Sequence, residues 1–475
     1  MPTVNNRKIN IYIGISRIIR KKIDIFNITL IYYFTKNLLT IPILKFYKME
    51  HKHQQNMSQN PTPSGIHNPG NFCYIISAMQ TLKTLRPLLN FFEKQTMMDA
   101  IYGDILTTAG ITTRVTQSEL QTALTRLSDE YAHNPDVLKS VAEKYHLTPG
   151  DVKWYLDKIY KENTKIYLYI MYREFVNALN TGSKTFTPNS LIRVTASVFN
   201  DFGMGHLCNG AQNDAQEFIT VLLDYLCDSH SLPSSVQVPQ SVLDLSEKEL
   251  DAIPDLQQRI KCGLLREINL RYSKEFTSLN AELYFYNLNQ IRCPSCDFSS
   301  LSYCPNNMLC VTIPDFDSTP PHGTGTYTLY GCLDKFFDLE MLDGEYPCSK
   351  CGNKQDMGIR RYILTKPKTL IICLKRFNFD PRTMRLQKNT QLVNYPEVLD
   401  IRKYNPIADQ DPKNTQYQLT GIINHAGAIN FGHYYSWNKV NGAWWQHNDA
   451  LVSPIHSLPA DNPNAYILTY EKLTL

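Results

Sequence analysis

Three groups of residues in this 475-residue chain have types and spacings that could do chemistry. The first centres on Cys73, in the stretch Gly65-Ile-His-Asn-Pro-Gly-Asn-Phe-Cys-Tyr-Ile-Ile-Ser-Ala-Met-Gln80. Gly65, Pro69 and Gly70 make a turn-rich approach, and Ile75, Ile76, Met79, Leu82 and Leu85 then recur at helical spacing, which predicts the thiol at the first turn of a buried helix. Unpaired N–H groups and the positive dipole end at such a position favour the thiolate, the form that attacks carbonyls. Asn68, five residues upstream, could aim its amide at a developing oxyanion. Most cysteines under a helix are structural, so a nucleophile needs a base elsewhere in the chain.

The second group supplies that base. His433 lies in Gly432-His-Tyr-Tyr-Ser-Trp437, followed by Lys439-Val-Asn-Gly-Ala-Trp-Trp-Gln-His-Asn448-Asp449. Asn441-Gly442 is a strong hairpin dipeptide, so His433 falls on one arm and Asn448 on the other, and cross-strand pairing could bring imidazole and amide together. A neutral amide suffices to hold the ring, because a Cys–His pair can exist as thiolate and imidazolium without a buried carboxylate. A lone histidine in a strand is ordinarily structural; this one has an orienter at hairpin distance and a thiol to activate. The third group is Cys293-Pro-Ser-Cys296 with Cys348-Ser-Lys-Cys351-Gly352. Four such sulfurs satisfy tetrahedral zinc with no open position, a structural site clamping two distant hairpins; the weaker reading is four unrelated thiols. Cys304, Cys310, Cys332 and Cys373 lie within or next to strand-like runs and are expected in the core.

The elements that must position these groups change character along the chain. From Gly65 to about Ser235 the pattern is mostly helical, with Leu120, Leu124 and Leu127 on one face. Val137, Leu138, Val141 and Tyr145, then Val152, Tyr155, Leu156, Ile159 and Tyr160, predict two short helices about a Leu-Thr-Pro-Gly turn, with Thr148 as cap and Pro149 as first helical residue. Such a pair could read DNA but is more often packing. A helix over 212–226 puts Asp214 and Glu217 on one face and Phe218, Val221, Leu222 and Tyr225 on the buried one. After a charged stretch to about Lys274, β-type runs dominate at 282–286, 309–313, 369–375, 417–423, 433–437 and 465–470. The expected class is α+β, helical first and antiparallel sheet second.

A composition 43% hydrophobic and 11% aromatic describes a globular chain of one large or two to three ordinary domains, not a disordered one. Residues 1–48 hold nine of the 48 Lys and Arg but one of the 44 acids; the remainder has 39 basic against 43 acidic side chains, a net of −4. That body has no electrostatic reason to bind nucleic acid. Two C-x-x-C pairs among twelve cysteines point to metal in a reducing compartment rather than to a disulfide framework. The apolar stretch from Ile25 to Thr35 is too short for a membrane span and lies too far from the start for a secretory signal. Residues 1–56 read as a basic, low-complexity extension, either poorly ordered or translated from a start placed too far upstream, with a targeting segment as the third reading; 57–64 read as a linker.

Taken in order, these segments resemble the ubiquitin-specific proteases, the large cysteine-protease family of deubiquitinases. Gly65 to Tyr74 resembles the cysteine box and Gln212-Asn-Asp-Ala-Gln-Glu-Phe218 the helix motif that follows it; the paired knuckles resemble the zinc ribbon, Leu374-Lys-Arg-Phe377 the strand before the histidine box, and Gly432 to Asp449 that box itself. The resemblance implies a papain-like fold of helical thumb (about 65–235), zinc-ribbon fingers (about 275–365) and antiparallel palm (mainly 366–473), together one catalytic domain over 65–473. It implies Cys73 as nucleophile, His433 as base, Asn448 as third triad member, Asn68 at the oxyanion hole and Asp449 as the neighbouring acid. Gln212, Asp214, Glu217, His425 and Tyr434 would meet ubiquitin, with Asp214 and Glu217 on tail arginines and His425 and Gly427 in a loop over the tail. Zn2+ on Cys293, Cys296, Cys348 and Cys351, ubiquitin and ubiquitinated proteins as partners, and a cytoplasmic or nuclear setting complete the expectation. Phe72 stands where the family usually has threonine, Ile76 where it has asparagine and Asn213 where glutamine or histidine is common, and the interval from Cys73 to Asp214 is long. A catalytically weak ubiquitin-binding scaffold, a protease for a ubiquitin-like modifier and a zinc-dependent nucleic-acid binder are the alternatives.

Overall fold

Helix α1 (Cys73–Leu82) starts at the predicted thiol and is buried along its whole length. The computed structural model that contains it describes residues 63–93, 101, 135–180, 185–232, 234, 236–314, 327–380, 384–407, 412–429 and 431–473. The extension over 1–56 and the Leu120, Leu124 and Leu127 face lie outside the described residues. Helix α2 (Arg86–Glu93) buries Leu88, Leu89, Phe91 and Phe92. In the helix pair, α3 (Pro135–Tyr145) and α4 (Pro149–Asn180) meet at the expected turn. Asp151 N–H donates to Thr148 Oγ1 at 3.2 Å and Thr148 N–H returns a bond to Asp151 Oδ2 at 3.0 Å, a reciprocal cap. The second helix is not short: it runs 32 residues with a bend at Glu162 (φ −106°, ψ 16°), because apolar positions continue through Ile166, Tyr169 and Phe175 into the main core.

Strands β1 (Gly65–Ile66) and β2 (Thr185–Phe186) pair in parallel beside this layer, and α5 (Asn189–Asp201) and α6 (Ala215–Ser229) complete it. Asp214 is not on the helical face that its spacing to Glu217 suggests. It precedes α6 in extended conformation and accepts Gln216 N–H at 2.8 Å, so it is the cap. The buried side of α6 is Phe218, Ile219, Leu222, Leu223 and Leu226, with Val221 and Tyr225 only partly covered.

After α7 (Leu256–Tyr272) the chain is nearly all strand. In order come β3 (Phe285–Arg292), β4 (Ser299–Asn306), β5 (Leu309–Thr312), β6 (Tyr327–Thr328), α8 (Leu329–Phe337), β7 (Glu340–Pro347), β8 (Lys354–Ile363) and β9 (Thr369–Lys375). β10 (Phe377–Asp380), β11 (Arg385–Lys388), β12 (Val393–Asn394), β13 (Val398–Asp400), β14 (Gln416–Gly427), β15 (Gly432–Val440), β16 (Ala443–Asn448), β17 (Leu451–Ile455) and β18 (Ala465–Lys472) follow. The strand predicted from Glu282 begins only at Phe285, because Thr277 caps a short helix, Ser278–Leu283, that claims the preceding residues. Cys332, expected near a strand, is buried in α8.

Two sheets result. One has four strands in the order β4-β3-β8-β7; the other has eight, β17-β16-β15-β14-β18-β9-β5 with β13 on β14. The β5–β9 contact is parallel, an exception to the antiparallel expectation. One core joins α1, α4 and α6 to Ile371, Cys373, Ile423 and Tyr466 of the large sheet; a second packs α8 against the sheet's other face. The Cys73 end of α1 therefore lies where helical layer and sheet meet. No described helix is long and apolar enough to cross a membrane.

Candidate active site

Cys73 is the first residue of α1 and is 4% exposed. The chain reaches it through a turn folded on Asn68, whose Oδ1 accepts Gly70 N–H at 3.1 Å and Phe72 N–H at 3.3 Å. Asn68 Nδ2 donates to Asp449 Oδ2 at 3.1 Å. An amide nitrogen has two hydrogens, so one remains for a ligand. Asp449, at a left-handed φ of 52°, follows β16, and its carbonyl accepts Ile66 N–H at 3.0 Å. Only glycine fits at position 65, since a Cβ there would lie 2.3 Å from the Ala450 carbonyl oxygen. The approach to the thiol is thus pressed directly against the end of the histidine hairpin.

That hairpin turns at Asn441 (φ 51°) and Gly442 (φ 83°), the two left-handed residues that a tight two-residue turn requires. The turn sets the register, with Ser436 opposite His447. Asn448 is then the diagonal neighbour of His433 on the same face, and His433 Nε2 stands 2.6 Å from Asn448 Oδ1. The amide oxygen accepts, so Nε2 carries the proton and Nδ1 is left for the sulfur. Interaction with the Cys73 thiol, opposed by burial and aided by Asn448 and the Asp449 charge, raises the His433 pKa to about 9. At neutral pH the ring is an imidazolium, the partner that a thiolate needs.

The residues expected to meet a ligand are held to different degrees. Gln212 Nε2 donates to Gly432 O at 3.0 Å while its Oε1 accepts Gly432 N–H at 3.3 Å, a clasp on the residue before His433. Gly432 itself tolerates no side chain, because a Cβ would lie 2.0 Å from His425 Nε2. Asp214 accepts the Tyr466 hydroxyl at 2.7 and 2.8 Å, and burial raises its pKa. Glu217 is half-buried and pairs with His206 at 3.2 Å. His425 is in β14 rather than a loop, 2% exposed against Phe377 and Tyr434. Burial lowers its pKa to about 4, so it stays neutral. Tyr434 is 4% exposed, pointing away from the His433 face into the core.

Sequence reasoning missed two positions. Tyr466, in the apolar run 465–468 of β18, holds Asp214. Arg376 is 0% exposed and donates to three carbonyls, Ala465 (2.6 Å), Asn389 (3.0 Å) and Gln391 (2.9 Å), tying β9 to β18 and to the segment after β11. An arginine closing the apolar run of β9 was the available signal for a buried cation.

The two C-x-x-C pairs do converge. Cys293 and Cys351 Sγ atoms are 3.8 Å apart, Cys296 and Cys348 3.7 Å, and all four sulfurs lie within 4.8 Å of one another. A tetrahedral ion bonded to sulfur at about 2.3 Å sets sulfur–sulfur distances of about 3.8 Å. The donor set therefore fits a metal ion, at the tips of the two hairpins of the four-stranded sheet.

A thiol at a helix start, an amide-oriented imidazole beside it, and an α+β frame that brings them together define a cysteine-type hydrolase. The family model for ubiquitin carboxyl-terminal hydrolase matches residues 64–470. Ubiquitin carboxyl-terminal hydrolase 2 of Gallus gallus is 32% identical over 267 residues, covering 55% of this chain and 68% of that protein. Probable ubiquitin carboxyl-terminal hydrolase R319 of Acanthamoeba polyphaga mimivirus is 25% identical over 451 residues, covering 86% and 89%. The fold resembles that of the SAGA Ubp8/Sgf11/Sus1/Sgf73 DUB module bound to ubiquitin aldehyde, with a TM-score of 0.51 and 20% identity over 88% of this chain and 71% of that one. The chain belongs to the ubiquitin carboxyl-terminal hydrolase family and is a cysteine-type deubiquitinase.

Proposed function

We propose that Cys73, His433 and Asn448 act as nucleophile, proton shuttle and orienter in hydrolysis of the peptide or isopeptide bond after ubiquitin's C-terminal glycine. The observation that carries this reading is the His433 ring, bonded to Asn448 at 2.6 Å and raised to about 9 chiefly by Cys73. The Cys73 thiolate attacks the glycine carbonyl. The oxyanion accepts the free N–H of Asn68, whose other hydrogen is anchored on Asp449. His433 gives its Nδ1 proton to the leaving amine, then takes one from the water that hydrolyses the thioester. Asp214 and Glu217 receive arginines of the basic ubiquitin tail, Gln212 holds the Gly432 backbone along its path, and His425 and Tyr434 back that wall from inside. The catalytic domain over 65–473 works as thumb, fingers and palm in a cytoplasmic or nuclear setting, on ubiquitinated proteins, with no nucleic-acid partner.

Cys293, Cys296, Cys348 and Cys351 would hold a structural Zn2+, which supplies folding energy to the fingers and no step of the reaction. Purified protein treated with ubiquitin bearing a thiol-reactive C-terminus should form an adduct that Cys73→Ala abolishes, while a ubiquitin-like probe labels more slowly. Phe72, which gives α1 no side-chain cap, and the buried Ile76 favour one competing reading, a weak scaffold. Ubiquitin bound without any adduct would replace the enzyme assignment with that one.

A further inference from the structure

Two thiols that the reaction leaves unused face each other across the large sheet. Cys310 on β5 and Cys373 on β9 are register partners in the parallel pair, so their side chains leave the same face. Strands about 4.8 Å apart put such Cα atoms within the roughly 4.4–6.8 Å span that a disulfide accepts. Both cysteines are free.

Their surroundings differ in a way that matters for redox chemistry. Cys373 is 2% exposed in the core that also holds Cys73, whereas Cys310 is half-buried on the edge strand of the sheet. Cys310 is the more accessible of the two residues. A hydrogen-bonding interaction from Cys373 lowers the Cys310 pKa, with the Lys375 charge aiding it against burial, while burial raises that of Cys373. A more accessible thiol beside a shielded one is the arrangement of an attacking and a resolving cysteine. The pair lies next to Tyr466, which interacts with Cys373 and binds Asp214 at the start of α6.

We propose that Cys310 and Cys373 form a redox-active dithiol, a modification site separate from the Cys73 nucleophile, which peroxide closes to a cross-strand disulfide. The Cys310 thiolate attacks hydrogen peroxide, the O–O bond breaks, and the sulfur keeps one hydroxyl while the departing hydroxide takes a proton to become water. The Cys373 sulfur then displaces that hydroxyl, forming the S–S bond as its own proton leaves in a second water. Two sulfurs lose two electrons and one peroxide becomes two waters. The four metal-site cysteines differ, because metal binding shields all their sulfurs together.

The test treats the full chain with graded hydrogen peroxide, unfolds it, alkylates the remaining thiols and maps unreduced peptides by mass. The expected product is a linked pair of the Cys310 and Cys373 peptides, about 2 Da below the sum of its parts, reversed by dithiothreitol. It should form at lower peroxide than any bridge among Cys293, Cys296, Cys348 and Cys351, and equally in Cys73→Ser protein. In Cys310→Ser, a single-atom change at a half-buried position, Cys373 should remain fully alkylatable. Full alkylation of both thiols at peroxide concentrations that oxidise Cys73 overturns the assignment, as does oxidation of Cys373 in Cys310→Ser or conversion of Cys310 to a sulfinic acid without a bridge. The readout does not depend on catalysis, so it stands or falls apart from the roles proposed for the triad.

Discussion

The charge on the His433 ring should govern the alkaline side of the rate profile. Its pKa of about 9 rests on Cys73 first and then, against burial, on Asn448 and Asp449. The imidazolium is therefore present at pH 7 and lost as pH rises through about 9. With a fluorogenic ubiquitin amide, kcat/KM should fall above that pH. Asn448→Ala removes an acceptor that stabilises the charged ring, so the limb should move to lower pH and the plateau drop about 10²-fold; an unmoved limb would exclude Asn448 as the orienter. A second charge is buried behind the same helix. Lys83, at the C-terminal cap of α1, is 1% exposed, and burial lowers its pKa to about 7. An unfolded chain keeps that proton until about pH 10.5. Stability from this group is thus complete only above about 10.5 and is lost as pH falls to 7. Lys83→Met should flatten the fall in melting temperature between pH 10.5 and pH 7, read by thermal melts across that range.

At the scale of elements, two hairpin systems do the positioning and each depends on a different constraint. The β15–β16 hairpin is specified locally by Asn441 and Gly442 and anchored at its open end by Gln212 and Gly432. The four-stranded sheet has little core at its tip, where Cys293, Cys348 and Met357 are the buried members of a small cluster. A metal ion held by the four sulfurs would supply there what apolar burial does not, since structural zinc contributes about 10 kcal/mol or more in small metal-held units. Elemental analysis should find one zinc per chain. Cys351→Ser, at the exposed ligand, should lose it, lower the melting temperature and weaken ubiquitin capture, while iodoacetamide still alkylates Cys73. Full zinc occupancy in that variant would argue against four-sulfur coordination.

Across the whole molecule, the helical layer and the large sheet are separate stretches of chain that also meet through polar contacts. Tyr466 on β18 holds Asp214 at the head of α6 across 252 residues, and Asn68 meets Asp449 across 381. Tyr466→Phe strips the Asp214 carboxylate of its side-chain donor and leaves only Gln216 N–H. It should destabilise the fold by about 1–3 kcal/mol, read as a lower melting temperature, and slow capture of the ubiquitin probe; unchanged stability and capture would mean that the two layers do not communicate through this contact.

What was legible in the sequence was whatever depends on near neighbours or on residue type. The helix start at Cys73, the Thr148 cap, the Asn441-Gly442 turn that aligns His433 with Asn448, and the strands from 369 onward follow from periodicity, capping and turn chemistry acting over a few residues. The knuckle spacing likewise singles out the four sulfurs by residue type alone. Tertiary structure alone decided the rest. It bound the Asp214 carboxylate to Tyr466, set His425 inside a strand against aromatic rings, extended α4 to 32 residues and buried Arg376 among three carbonyls. Those outcomes rest on contacts between residues tens to hundreds of positions apart. Local pattern carries no information about such contacts, because burial and partner choice are set only when the layers pack.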